Sequence, residues 1–205
     1  MLKLGLTGGI ASGKSTIGKM FQALGAYIIE TDHLSRVAVE PPSNLLNQIA
    51  EIFGNDLLDD QGQLRRMRLR EIIFSDEGAR AKLNSILHPE IGRLLDIELK
   101  QIASQDKNDI VLVDVPLLFE TSWQKEFSAV ILVYVPKNIQ ILRLMQRDGV
   151  DLAMAAKSLA AQMPLEEKRK LAQYIIDNSG LLEEVRPQVK NVWQQIKLLK
   201  KTCTP

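Results

Sequence analysis

Cysteine is almost missing from this sequence. Cys203 is the one in 205 residues, so no intrachain disulfide framework can form, and a reducing compartment is the simpler expectation. An excess of charge is missing too. Lys+Arg number 26 and Asp+Glu 25, a net charge of +1, which lends no support to nucleic acid or an anionic membrane as an obligate partner. No apolar run approaches membrane-spanning length, and no charged n-region with an apolar core and cleavage site opens the chain. A cytoplasmic protein is expected. There is no internal repeat or low-complexity tract. With 45% hydrophobic and 25% charged residues, the composition suits one globular domain over 1–205, with sub-lobes beside a sizeable core.

What the sequence does have is a series of short, wholly apolar runs. "LKLGLT" (Leu2–Thr7), "AYIIET" (Ala26–Thr31), "DIVLVDVP" (Asp109–Pro116), "AVILVYVP" (Ala129–Pro136) and "YIIDN" (Tyr174–Asn178) read as buried parallel strands. Helical patterns separate them. Ile17, Met20, Phe21 and Leu24 recur at i, i+3, i+4 and i+7, with Gly25 placed to end the helix. Val185, Val189, Val192, Ile196 and Leu199 step by 4, 3, 4 and 3, which makes a terminal helix. This alternation predicts an α/β fold with a five-stranded parallel sheet. Two intervals are too long for simple crossovers. Residues 33–108, with a turn at "DDQGQ" (Asp59–Gln63), and residues 139–173 read as helical lobes beside the sheet.

The first strand runs straight into "GLTGGIASGKST" (Gly5–Thr16). Gly8, Gly13, Lys14 and Ser15 fit G-x-x-x-x-G-K-[ST], with a strand before and a helix after, the context that pattern requires. Here Gly8, Gly9, Ile10, Ala11, Ser12 and Gly13 are expected to turn backbone N–H groups toward one anion, and the helix N-terminus adds partial positive charge. Lys14 can reach the β- and γ-phosphates of ATP, the Ser15 hydroxyl suits Mg²⁺, and Thr16 is expected at the α-phosphate. Asp114, at the end of "IVLVD", supplies a second candidate ligand for the ion. A carboxylate there is expensive to bury unless a cation or hydrogen bonds compensate it.

Guanine-reading N-K-x-D and the γ-phosphate sensor D-x-x-G are lacking, since "VPLLFE" follows Asp114. In so short a chain, without a second ATPase lobe, a small kinase is the class that remains. The sequence then resembles the dephospho-coenzyme A kinase family along nearly its whole length. The likeness runs through "TGGIASGKST", "TDHLSR" (Thr31–Arg36), "LHPEI" (Leu87–Ile91), "VDVPLLFE" (Val113–Glu120), "RLMQRDG" (Arg143–Gly149), "AAQMPLEEKRKLA" (Ala160–Ala172) and "IIDNSG" (Ile175–Gly180). It implies transfer of the ATP γ-phosphoryl to the ribose 3′-hydroxyl of dephospho-CoA, on a P-loop kinase core with a helical acceptor-binding insertion and a helical lid. Departures from the family pattern are Glu30 and Thr31 before Asp32, Arg65 in "LRR", Ser158 beside Lys157, and Gln173 in "AQYIIDN".

Asp32 follows the second strand, whose C-terminal end belongs on the ligand crevice of a parallel sheet. It is the candidate to accept or orient the proton of the attacking hydroxyl, and by resemblance the family's acid–base residue. Arg36, at i+4 from Asp32, is a candidate for an acceptor phosphate. The resemblance places His88 and Leu117 with the acceptor, although "HP" also reads as a helix-start turn. Arg143 and Arg147, four apart on one helix face, suit a lid that neutralises charge on the transferring phosphoryl. Lys168, Arg169 and Lys170 could extend this positive field, but a charge run reads first as a solvated face. Asn178 is placed beside the adenine, as this loop commonly is in P-loop kinases, with a plain Asn-Ser-Gly turn as the other reading. Trp123 and Trp193 are assigned to packing. The expected small-molecule partners are ATP and dephospho-CoA, with Mg²⁺. Oligomeric state is not legible, and a monomer is favoured. Two other readings stay open from the residues alone: a kinase for a nucleoside monophosphate or small metabolite, and a non-catalytic ATP-sensing module.

Overall fold

A computed structural model describes residues 1–105 and 110–203. Asp109, expected to open the third strand, and Asn108, expected to close the insertion, lie outside the described residues. The strands are β1 (Leu2–Gly8), β2 (Tyr27–Glu30), β3 (Ile110–Asp114), β4 (Ala129–Tyr134) and β5 (Tyr174–Asp177). They form one sheet in the order β2-β3-β1-β4-β5. β1 runs parallel to β3 and to β4, and β4 parallel to β5. Every residue of β3 and β4 is buried, as unbroken apolar runs predict for strands covered on both faces.

The chain divides into two compact units, residues 1–29 with the segment from Gln105 onward, and Glu30–Ser104. In the first, α1 (Lys14–Ala23) and α9 (Leu182–Cys203) cover one face of the sheet. Ile17 and Phe21 of α1 meet Val185, Val189, Trp193 and Ile196 of α9 over Leu4, Leu6, Leu112 and Ile131. Each such side chain, once buried, contributes about 1.5–3 kcal/mol. Gly25, at φ +106°, stops α1 as the spacing predicts. Trp193 packs on Phe21, whereas Trp123 is only half-buried. Three helices occupy the second long interval: α6 (Lys137–Asp148), α7 (Leu152–Ala160) and α8 (Leu165–Leu171).

The second unit holds α2 (Thr31–Ala38), α3 (Asn44–Phe53), α4 (Arg66–Ser75) and α5 (Glu77–Ser104). Ser43 caps α3 through its hydroxyl, which accepts from the Leu46 N–H. Leu46, Ile49, Leu57, Leu69 and Leu83 make its core. The Asp59–Gln63 turn forms as read, with Asp59 Oδ1 accepting from the N–H groups of Gln61 and Gln63. One expectation is corrected. His88-Pro89 does not start a helix, because α5 runs straight through Pro89. Buried Leu83 on one side and Ile91, Leu95, Leu99 and Ile102 on the other hold the helix together across the missing N–H.

Candidate active site

The end of β1 feeds a loop shaped by what surrounds it. Gly13 takes φ +84° and Ala11 φ +59°, both left-handed. A Cβ on Gly13 would lie 2.2 Å from Asn178 Nδ2, and one on Gly8 would lie 2.5 Å from Ser12 Oγ. Both motif glycines are therefore required by space, and Gly13 by its backbone angle as well. Ser12 Oγ is buried with no hydrogen-bond partner among the described residues. Among the described residues, the N–H groups of Gly13, Lys14 and Ser15 donate to no acceptor in the chain. They open α1, so their partial positive charge is left for an anion.

Lys14 and Asp114 form an ion pair through Nζ and Oδ1. Asp114 is buried at the end of β3, in register with Leu6 of β1, which sets the carboxylate beside the loop. Ser15 and Thr16 are exposed in the first turn of α1. One hydroxyl and one carboxylate are an all-oxygen donor set that fits Mg²⁺, an ion that keeps most of its coordination for water and phosphate. Among the described residues no group of three or more His, Cys, Asp and Glu could hold a metal by itself.

Arg143 and Arg147 share a face of α6 but meet different fates. Arg143 Nη2 donates to the Asn178 carbonyl at 2.9 Å, and its Nη1 lies 3.9 Å from where a Gly13 Cβ would sit. Arg147 is exposed and forked on Asp148 at 2.7 and 2.9 Å. That hydrogen bonding raises its guanidinium pKa further. Asn178 is buried, and its Nδ2 donates to the Ser12 carbonyl at 2.8 Å, so its side chain braces the loop from behind. Leu117 is half-buried in the turn after β3, its carbonyl accepting from Thr121.

Lys168 corrects the reading of a solvated charge run. It is wholly buried, with Nζ 2.7 Å from Glu120 Oε1 and 3.3 Å from the Pro116 carbonyl. Glu120 also accepts the Met163 N–H at 3.0 Å. Arg169 lies over the Tyr134 ring, and the Tyr134 hydroxyl donates to Glu166. That hydrogen bond first, and burial second, push the Tyr134 pKa up. α8, the last part of the expected lid, is thus fastened to the ends of β3 and β4. Sequence reasoning missed Glu120, Lys168, Gln140 and Gln162 as supports. Gln140 falls on the stripe of Arg143, Leu144 and Arg147, and Gln162 stands in the quoted "AAQMP".

In the second unit, Asp32 and Arg36 are exposed in the first and last turns of α2, which begins directly after β2. Glu30 occupies the N-cap position without a side-chain cap bond. His88 is half-buried in α5, and burial lowers its pKa. Of the other departures, Gln173 pairs with Val130 through both backbone and side chain, at 3.1 and 2.8 Å, and Ser158 bonds back to the Met154 carbonyl.

The family model of dephospho-CoA kinase matches residues 2–184. The chain belongs to the dephospho-CoA kinase family. It is 45% identical to the dephospho-CoA kinase of Syntrophotalea carbinolica over 92% of this chain and 89% of that one. Among solved structures, dephospho-CoA kinase from Campylobacter jejuni superposes with a TM-score of 0.68 at 31% identity, covering 95% of this chain and 96% of that one. The crystal structure of TT1252 from Thermus thermophilus gives 0.82 at 32% identity, covering 95% and 97%. No helix among the described residues is long and apolar enough to cross a membrane.

Proposed function

We infer that the chain is an ATP-dependent kinase that phosphorylates the ribose 3′-hydroxyl of dephospho-CoA, giving coenzyme A. The Gly8–Thr16 loop carries this reading, with its free N–H groups at the start of α1 and Lys14 beside them, inside a chain of this family. Kinase chemistry of this kind depends on positioning and on stabilising spread charge rather than on covalent catalysis. The loop N–H groups and Lys14 bind the ATP phosphates, and Thr16 lies at the α-phosphate. Ser15 and Asp114 would hold Mg²⁺, which when bound neutralises charge on the β- and γ-phosphates. Asp32 takes or orients the proton of the attacking hydroxyl. Arg36, His88 and Leu117 bind the acceptor. Arg143 faces charge on the transferring group from the loop side, and Arg147 joins it when it leaves Asp148.

ADP release with Mg-ATP tests this against dephospho-CoA, AMP and no acceptor. ADP formed only with dephospho-CoA, together with a coenzyme A product, is the expected result. Turnover with AMP alone would discard the acceptor while keeping the phosphate loop.

A further inference from the structure

We propose that Gln140 and Gln162 are positioning residues that clamp the phosphate loop at Ile10 and hold it in its binding shape; this rests on the phosphate-loop reading above. Gln162 Oε1 accepts the Ile10 N–H at 2.9 Å, and Gln140 Nε2 donates to the Ile10 carbonyl at 2.8 Å. The two amides thus fix the peptide planes on both sides of Ile10. The second plane also sets the φ of Ala11, which at +59° is a conformation that a residue with a Cβ keeps only when its surroundings impose it.

Gly9 supports the same conclusion. It is not a position of the G-x-x-x-x-G-K-[ST] pattern, and its φ is not positive. A Cβ there would lie 2.5 Å from Gln140 Nε2 and 3.2 Å from Leu165 Cγ. Its missing side chain makes room for the Gln140 amide. Beside Gly9 lies a cavity of about 250 Å³, lined also by Gln140, Ala156, Leu159, Gln162 and Leu165. A loop freed from the clamp has space to sag into it. The clamp is itself anchored, because Met163, next to Gln162, donates its N–H to the Glu120 that pairs with buried Lys168.

A loop that spends less time in its binding shape binds ATP more weakly by the fraction lost. Loss of one such part-buried hydrogen bond corresponds to about a five- to tenfold change. The test is steady-state kinetics on Gln140→Met, Gln162→Met and Gln162→Glu, with thermal melts and Lys14→Ala alongside. Each methionine variant is expected to raise KM for ATP about five- to tenfold, with KM for dephospho-CoA within twofold. Gln162→Glu keeps an acceptor for the Ile10 N–H and should fall nearer wild type than Gln162→Met, which a purely packing role does not predict. Gln162 is half-buried in a turn, so its variants fold even if a change at buried Gln140 does not. A KM for ATP within twofold of wild type in Gln162→Met, or no advantage of glutamate over methionine there, would overturn the clamp. If Lys14→Ala raises KM while the glutamine variants do not, the clamp alone fails. If Lys14→Ala is silent too, the phosphate-loop reading falls with it.

Discussion

Replacing Lys168 with methionine removes the charge from a fully buried site and keeps most of the side-chain length. Two contacts go: the 2.7 Å ion pair with Glu120 and the 3.3 Å bond to the Pro116 carbonyl. Glu120 keeps its bond from the Met163 N–H but loses its countercharge. Breaking a buried pair from one side costs about 3–5 kcal/mol, because the remaining charge is stranded. The Glu120 side chain is 20% exposed, so water relieves part of this, and the lower end, about 3 kcal/mol, applies. In a chain of this size that corresponds to a fall in Tm of roughly 6–12 °C. The assay is a thermal melt followed by circular dichroism, for the single variant and for Lys168→Met with Glu120→Gln. The double variant should recover part of the loss, since its carboxylate is gone. A single-variant Tm within about 2 °C of wild type would refute the reasoning, and so would a double variant that melts no higher than the single.

Asp32→Asn should lower kcat by about 10²–10⁴-fold, the range of general acid–base catalysis, while the Kd for ATP stays within about threefold. Wild-type turnover would end the proposed role. Gly13→Ala should raise KM for ATP at least about tenfold, because a methyl group there meets Asn178 at 2.2 Å on a backbone held at φ +84°; unchanged ATP kinetics would show that the loop adapts. His88 gives a pH signature. Its pKa lies below the ordinary 6.5 when folded, so the unfolded chain binds its proton first as pH falls. Stability contributed by His88 is complete above about 6.5 and is lost from there down to the lowered folded value. Tm measured from pH 7.5 to 5 should therefore fall less steeply in His88→Gln than in wild type, and parallel curves would contradict this.

The strands and the phosphate loop were legible because each signal lies within one short stretch. A run such as "IVLV" is buried wherever it pairs, and the loop's glycines, Lys14 and Ser15 are neighbours in sequence. The first and last helices were legible for the same reason, since their stripes repeat every three or four residues. Lys168 was not, because the carboxylate that pairs with it is Glu120, 48 positions away, and a local charge run gives no hint of that partner. Gln140 and Gln162 escaped for a different reason: uncharged amides bonded to backbone leave no pattern in residue types. Pro89 misled because a local rule about helix starts was overridden by buried apolar residues on both sides of it, Leu83 before and Ile91 and Leu95 after. Asn178 was read as an adenine neighbour or a plain turn, and no local pattern announced that its side chain reaches back to the Ser12 carbonyl.

The position of β1 in the sheet has a consequence for how the chain is made. β1 leaves the ribosome before β3 and β4, yet those two strands are its hydrogen-bonding partners, with Leu2 opposite Ile110. At about 5–20 residues per second, some 5–20 s pass before the first partner exists. Meanwhile Glu30–Ser104, a continuous segment with its own apolar core, can be completed and fold. Through that interval the nascent "LKLGL" is an apolar strand with both edges open, the kind of segment that pairs with the wrong chain. The helical unit between β2 and β3 sets how long that segment stays without its partners.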